Sequence, residues 1–292
     1  MANIMHSEHH SLRKTLGPRA GHLVLTLYER RHLVFRLAEA HEILGGDLRT
    51  ARQLIFDLVE KGIATRLKHG LYQLVPFELG FEREYLGNPY VVARELFRAR
   101  RGVSTTAADE SYYLSHGSAF DLHQMLTQPQ LIVYLSSSRL IRPHTALGTE
   151  FRFVRCKTAD LFGTTEMGVE KNERVQVSDL ERTILDGLKQ PSYCGGFTEV
   201  AKGFWMKRQA VDPKKIVDYA LRLNVGAVIR RLGYLMELYQ VQAPEQLERL
   251  HLKLTDTYCS LDPDLESEGK FLARWRLRLN VGEDELKGIV RT

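Results

Sequence analysis

Between residues 44 and 76 the apolar positions change their period. From Leu48 to Val59 they recur at helical spacing. At about 100° per residue, Leu48, Ala51, Leu54, Ile55, Leu58 and Val59 fall on one side. Arg49, Thr50 and Gln53 point the other way, and Arg52 sits at the rim. After Gly62 two short alternating runs, 63–67 and 71–74, flank Lys68-His69-Gly70, which predicts a tight hairpin. Upstream, Pro18 opens a first helix reaching about Arg31, with Leu23, Leu27 and Tyr28 in its buried stripe. A second helix is expected over 34–44, packing through Leu37, Ala38, Ala40 and Leu44. Gly45-Gly46 supplies the sharp turn, and Asp47 the N-cap of the third helix. Three helices followed by a hairpin is the order of a winged helix-turn-helix.

The polar face of the third helix has a direction. Arg49, Thr50, Arg52 and Gln53 crowd its first half, and the acids Asp57 and Glu60 occupy its far end. A major-groove helix reads bases from its N-terminal half, where acids would be repelled by phosphate. Arg49, Arg52 and Gln53 are therefore assigned to base edges, and Thr50, Arg66, Lys68 and His69 to the backbone or the adjacent groove. Charge agrees in sign. Residues 1–75 hold 11 Lys and Arg against 7 Asp and Glu, a net +4 of the chain's +5, and 7 of its 11 His. The bland alternative is a helical subdomain whose hairpin binds protein.

Residues 1–15 read as a flexible arm, its His6, His9 and His10 lacking partners at metal-ligand spacing. The composition shifts after Pro76, and 77–88 is expected to be a linker into a second domain, 89–292. A helix is expected over 90–101, ending in Arg98, Arg100 and Arg101, and another over 112–126. Strands are expected at 130–136, 150–155 and within 163–177. The last third reads as helical: Asp212-Pro213 is a cap and first-position pair, and further helices cover 225–239 and 244–254. Residues 271–281 alternate as a strand, placing Arg274, Arg276 and Arg278 on one face. Mixed helices and strands without regular βαβ repeats give an α+β class. The expectation is an N-terminal winged helix-turn-helix and a larger mixed domain with a helical C-terminal part.

Composition excludes more than it selects. At 292 residues, 43% hydrophobic and 26% charged, the chain is that of a globular protein. No apolar run suits a membrane span, and the N-terminus lacks a secretory core, so a cytoplasmic location is expected. Cys156, Cys194 and Cys259 are few and widely spaced, as in a reducing compartment. Asp179, Glu181 and Asp186 are three carboxylates in eight residues and are the best candidate metal cluster, with Glu150 a further one; a metal-dependent nuclease is the alternative function they carry. The capping reading is stronger, because Ser178-x-x-Glu181 is a capping box and Asp179 lies in the first turn. His116 and His123 are two helical turns apart, about 10 Å by rise, too far to share an ion. No His–acid arrangement activates Cys194, and neither a phosphate-binding glycine loop nor a GxSxG elbow is present. No cofactor, no metal and no enzymatic activity are expected.

The second domain resembles a known family. Asn88-Pro89-Tyr90, the block YYLSHGSAFDLHQM at 112–125, the run at 131–135 and GTEFRFV at 148–154 carry the resemblance. Phe162-Gly163, VSDLERTILDGLKQP at 177–191 and Gly195-Gly196 complete it. These resemble the AbiEi-type antitoxins, bacterial transcriptional regulators of type IV toxin–antitoxin systems tied to phage resistance, over roughly residues 35–205. The resemblance implies a winged helix that represses its own operon and a larger domain needed for antitoxicity. It also implies a cognate nucleotidyltransferase-like toxin, countered directly or only functionally. Operator contact then falls to the helix at 47–61 and its hairpin, with two copies on inverted repeats of double-stranded DNA.

Overall fold

In a computed structural model the described residues are 15–80, 84–98, 111–126, 128 and 130–289. The arm at 1–14 and the arginines at 100 and 101 lie outside them. The class is α+β. The chain folds as two compact units, Met1–Gly102 with Ala146–Gly148, and Val103–Thr145 with Thr149–Thr292.

The first unit opens with α1 (Pro18–Arg30), β1 (Val34–Arg36), α2 (Leu37–Leu44) and α3 (Leu48–Glu60). The strands β2 (Ala64–Lys68) and β3 (Leu71–Leu74) follow. β1, β3 and β2 form an antiparallel sheet in that order. The expected helix over 34–44 is thus shorter, because Val34–Arg36 is a strand on β3 and α2 begins only at Leu37. Phe35, buried between its neighbours and stacked on Tyr72, stabilises that strand. Leu23, Val24 and Leu27 of α1 pack with Phe35, Ala40, Ile55, Leu58, Ile63, Ala64 and Leu74 in one core. α4 (Pro89–Arg98) belongs to this unit. Its Glu95 accepts from Arg36 at 3.0 Å, which ties it to β1. The compact unit therefore runs past the 77–88 segment.

The second unit is built on a six-stranded mixed sheet. Its strands are β4 (Tyr112–Leu114), β5 (Ile132–Ser137), β6 (His144–Ala146), β7 (Thr149–Arg155), β8 (Thr164–Glu170) and β9 (Glu173–Ser178). The order is β6-β7-β5-β4-β9-β8, with β5 parallel to β7 and β4 parallel to β9. The expected helix over 112–126 is wrong in its first part. Tyr112–Leu114 is a central strand, buried on both faces, and only α5 (His116–Leu122) is helical. A both-faced strand shows no alternation, so its three apolar residues read equally well as helix.

Among the described residues six helices follow: α6 (Leu180–Lys189), α7 (Phe197–Lys207), α8 (Pro213–Leu223), α9 (Gly226–Leu238), α10 (Pro244–His251) and α11 (Glu283–Gly288). Among them lie the short strands β10 (Cys259–Ser260), β11 (Lys270–Leu272) and β12 (Leu277–Leu279). Residues 271–281 are therefore not one strand. The chain turns at 273–276, with Arg276 at φ 49°, and β11 pairs back on β12. The three arginines do not share a face: Arg274 bonds Glu237, Arg276 reaches Asp256 and the Tyr258 hydroxyl, and Arg278 lies over Phe271. Trp275 is fully buried against Gly233 of α9, where an added Cβ would fall 2.1 Å from the indole.

α6 is the hub of this unit, and it is buried from Glu181 to Leu188. Arg182, 1% exposed, donates from Nε to Asp186 at 3.0 Å and from Nη2 to the Tyr113 hydroxyl at 2.8 Å, and its guanidinium lies 4.6 Å over the Phe162 ring. Burial opposes the Arg182 charge, but Asp186 and Tyr113 outweigh it and hold its pKa up. Beside α6, Ser136 donates to Ser115, whose hydroxyl meets His116 Nδ1, while His116 Nε2 donates to Gln190 at 3.2 Å. This neutral tautomer suits the buried site, and burial holds the His116 imidazole below its ordinary range.

Asp186→Ala strands the Arg182 charge and is expected to cost about 3–5 kcal/mol in urea unfolding, whereas Arg182→Met with Asp186→Leu costs far less. Because folding depresses the His116 pKa, the unfolded chain binds more protons below its ordinary value, so stability falls as pH drops through that window. Urea midpoints for wild type and His116→Gln between pH 7 and pH 5 check this, the variant showing the flatter curve.

Candidate nucleic-acid interface

The α2–α3 turn is set by Gly45 and Gly46, at φ 62° and 79°, where an L side chain would be strained. Asp47 then caps α3, its carboxylate accepting from Arg49 N at 3.2 Å. The cap frees the following side chains to face outward. Ala51, Ile55 and Leu58 are buried, and Arg49, Thr50, Arg52 and Gln53 are all exposed. α3 therefore presents the four predicted residues on its first two turns, ahead of Asp57 and Glu60.

Two details go beyond the polar pattern of this helix. Gln53 Nε2 donates to Asp57 Oδ1 at 2.9 Å, so its amide is already engaged by a residue one turn on. Releasing it for a base costs about 0.2–0.5 kcal/mol, the worth of such a pair. Phe56, 58% exposed, lies on the same face. Its helical angle, within a few tens of degrees of Arg49, was the available signal: an apolar residue out of phase with the buried stripe.

The hairpin after α3 carries the remaining three. Arg66 is exposed on β2, Lys68 is half-buried as the last residue of that strand, and His69 is exposed in the turn, which Gly70 closes at φ 76°. The register shifts between Arg66 and Lys68, so that Leu67 is an extra, buried residue. Such a bulge sharpens the local twist and places cations on both sides of an anchored leucine. The structure brings these seven residues onto two consecutive elements, α3 and the β2–β3 hairpin, and α3 packs against β2.

The candidate carboxylates of the second unit are engaged within the fold. Glu150 holds Arg152 at 2.8 Å, and Asp186 holds Arg182. Asp179, not Ser178, is the N-cap of α6, accepting from Arg182 N at 2.9 Å, which corrects the capping-box expectation. Glu181 does not reach back to that cap. It accepts from Asp212 N at 3.0 Å and from Lys215 at 2.7 Å, joining α6 to the start of α8. Ser178 bonds Thr183 at 2.7 Å instead. His123 donates to Ser178 O at 2.7 Å, so both histidines of the 116–123 pair serve local bonds. Among the described residues no group of three His, Cys, Asp or Glu comes together as a metal site. None of their helices is long and apolar enough to cross a membrane.

No protein-family model matches the chain, and no curated protein matches it. Among solved structures it is similar to the RV2827C protein from Mycobacterium tuberculosis, at 13% sequence identity and a TM-score of 0.67, over 95% of this chain and 96% of that one. That likeness is one of fold.

Proposed function

We propose that this chain is a sequence-specific DNA-binding regulator whose N-terminal unit works as a winged helix-turn-helix. The observation that carries the reading is the exposed first half of α3, where Arg49, Thr50, Arg52 and Gln53 face outward, Gln53 bonded to Asp57 one turn on, followed directly by a hairpin bearing Arg66, Lys68 and His69. Arginine and glutamine are the side chains that pair bidentately with guanine and adenine edges, and a hairpin of cations beside them suits phosphate. Two copies on an inverted repeat complete an operator.

With the AbiEi-type resemblance, the regulator is an autorepressor and antitoxin, a cytoplasmic non-enzymatic protein that counters a nucleotidyltransferase-like toxin. In this reading the second unit carries the antitoxin role. A nuclease has less in its favour, because Glu150, Asp179 and Asp186 each neutralise or cap a neighbour. Duplex DNA incubated with the protein and Mg²⁺ separates the two: a regulator binds it and leaves it intact.

Fluorescence anisotropy on the protein's own promoter tests the reading. Arg49→Ala is expected to cost about 1–3 kcal/mol on the operator and little on random duplex. Equal loss on both removes Arg49 from base readout, and no preference of the full chain for its promoter sinks the repressor. Lys68→Ala should weaken both DNAs and lower the slope of log K against log salt by about 0.9. Co-expression with the product of the neighbouring gene tests the antitoxin half, rescue of growth being the expected outcome.

A further inference from the structure

The second unit has an open cleft of about 440 Å³ at the C-terminal ends of β5 and β7, with Arg155, Lys157 and Thr158 exposed along it. These strands are parallel, so their C-terminal ends lie on the same edge of the sheet. Ser138 follows β5. Arg155 ends β7, and Cys156, Lys157 and Thr158 continue from it into a single 3₁₀ turn that ends at Asp160. Lys189, the last residue of α6, closes the other side.

Three cations and one carboxylate line this space, with two hydroxyls and no aromatic ring. None of the three cations is in an ion pair among the described residues, in contrast to the engaged cations of the surrounding fold (Arg152, Arg182 and Lys215). Lys189 also complements the C-terminus of α6, which subtracts about half a charge from the local field. Arg155 and Lys157 have no such employment. Cys156, in the lining, lies close enough to the buried Arg182–Asp186 pair to feel both charges. In that pair Arg182 Nη1 and Asp186 Oδ2 have no hydrogen-bond partner among the described residues.

We propose that this cleft is a binding site for a phosphomonoester dianion, held by Arg155, Lys157 and Lys189 with Ser138 and Thr158 as hydroxyl donors. The balance of three cations over one acid matches a doubly charged group. Guanidinium and ammonium donors supply the charge-assisted bonds that phosphate oxygens accept. With no ring to stack a base, recognition centres on the phosphate, and the volume admits the group with a small polar remainder such as a sugar. The site is separate from α3 and its hairpin and does not depend on their reading of DNA.

Full-length protein is titrated calorimetrically at constant ionic strength with inorganic phosphate, with a nucleoside 5′-monophosphate and with the parent nucleoside. Saturable binding of phosphate or the monophosphate, absent for the nucleoside, is expected. Which of the two binds more tightly separates free phosphate from its esters as the occupant. Arg155→Gln, Lys157→Gln and Lys189→Gln combined should weaken binding by about tenfold or more, with an unchanged circular dichroism spectrum. Arg49→Ala with Arg52→Ala should leave it unchanged. A local readout accompanies this. Burial pushes the Cys156 thiol up to about 11, so N-ethylmaleimide reacts slowly there, and bound phosphate should slow it further while Cys259 keeps its rate. No saturable binding, equal binding by the triple variant, or no protection of Cys156 at saturating phosphate overturns the proposal.

Discussion

A helix enclosed along most of its length and carrying charge inside governs the second unit. In α6 the side chains of Glu181, Arg182 and Asp186 are all buried. Taking such groups out of water costs several kcal/mol each unless partners are fixed, so each charge dictates a neighbour. Arg182 requires Asp186 and Tyr113, which fixes β4 beneath the helix. Glu181 requires the amide of Asp212 and the ammonium of Lys215, which fixes the start of α8. The Lys215 pKa is raised, burial working against its charge and the Glu181 and Asp179 carboxylates outweighing that.

The same logic extends to α9. Arg231 donates to the carbonyls of Leu188 and Ser260, tying the end of α6 to β10, and Arg230 gathers the carbonyls of Thr255 and Thr257. These arginines satisfy backbone acceptors rather than acids, and burial lowers the Arg231 pKa accordingly. Glu237 then receives both the Trp275 indole and Arg274 at 2.6 Å, pinning the β11–β12 hairpin. Burial works against the Glu237 charge, but these donors prevail and lower its pKa. The first unit is built on an apolar core, with a half-buried ion pair between Arg36 and Glu95 linking β1 to α4.

Legibility in the sequence followed locality. The amphipathic period of α3, the Asp47 cap and the Asp212-Pro213 start of α8 are set by residues within one turn, and all three stand as expected. So does the strand at Thr149–Arg155, which contains the expected 150–155. What failed was settled at a distance. Tyr112–Leu114 is a strand because β5 and β9 flank it, and Glu181 leaves its own cap for a lysine in another helix. The turn within 273–276 contains no glycine or proline, so nothing in its composition contradicted a continuous strand. At the candidate interface the side chains facing outward were readable from spacing. The Gln53–Asp57 bond was also within reach of the four-residue rule, while the bulge at Leu67 required the partner strand.

The burial of Trp275 sets an order of events during synthesis. The core of the second unit joins Phe120, near that unit's start, to Trp275 and Leu286, near the end of the chain. The core cluster of the first unit that joins α1, α2, α3 and the hairpin is made of buried residues from Leu23 to Leu74. On a ribosome the first core can close once Leu74 has emerged, and the second must wait for Trp275 and Leu286. A polypeptide interrupted before Trp275 therefore carries a closed first core attached to an open, apolar second one, a natural substrate for proteolysis.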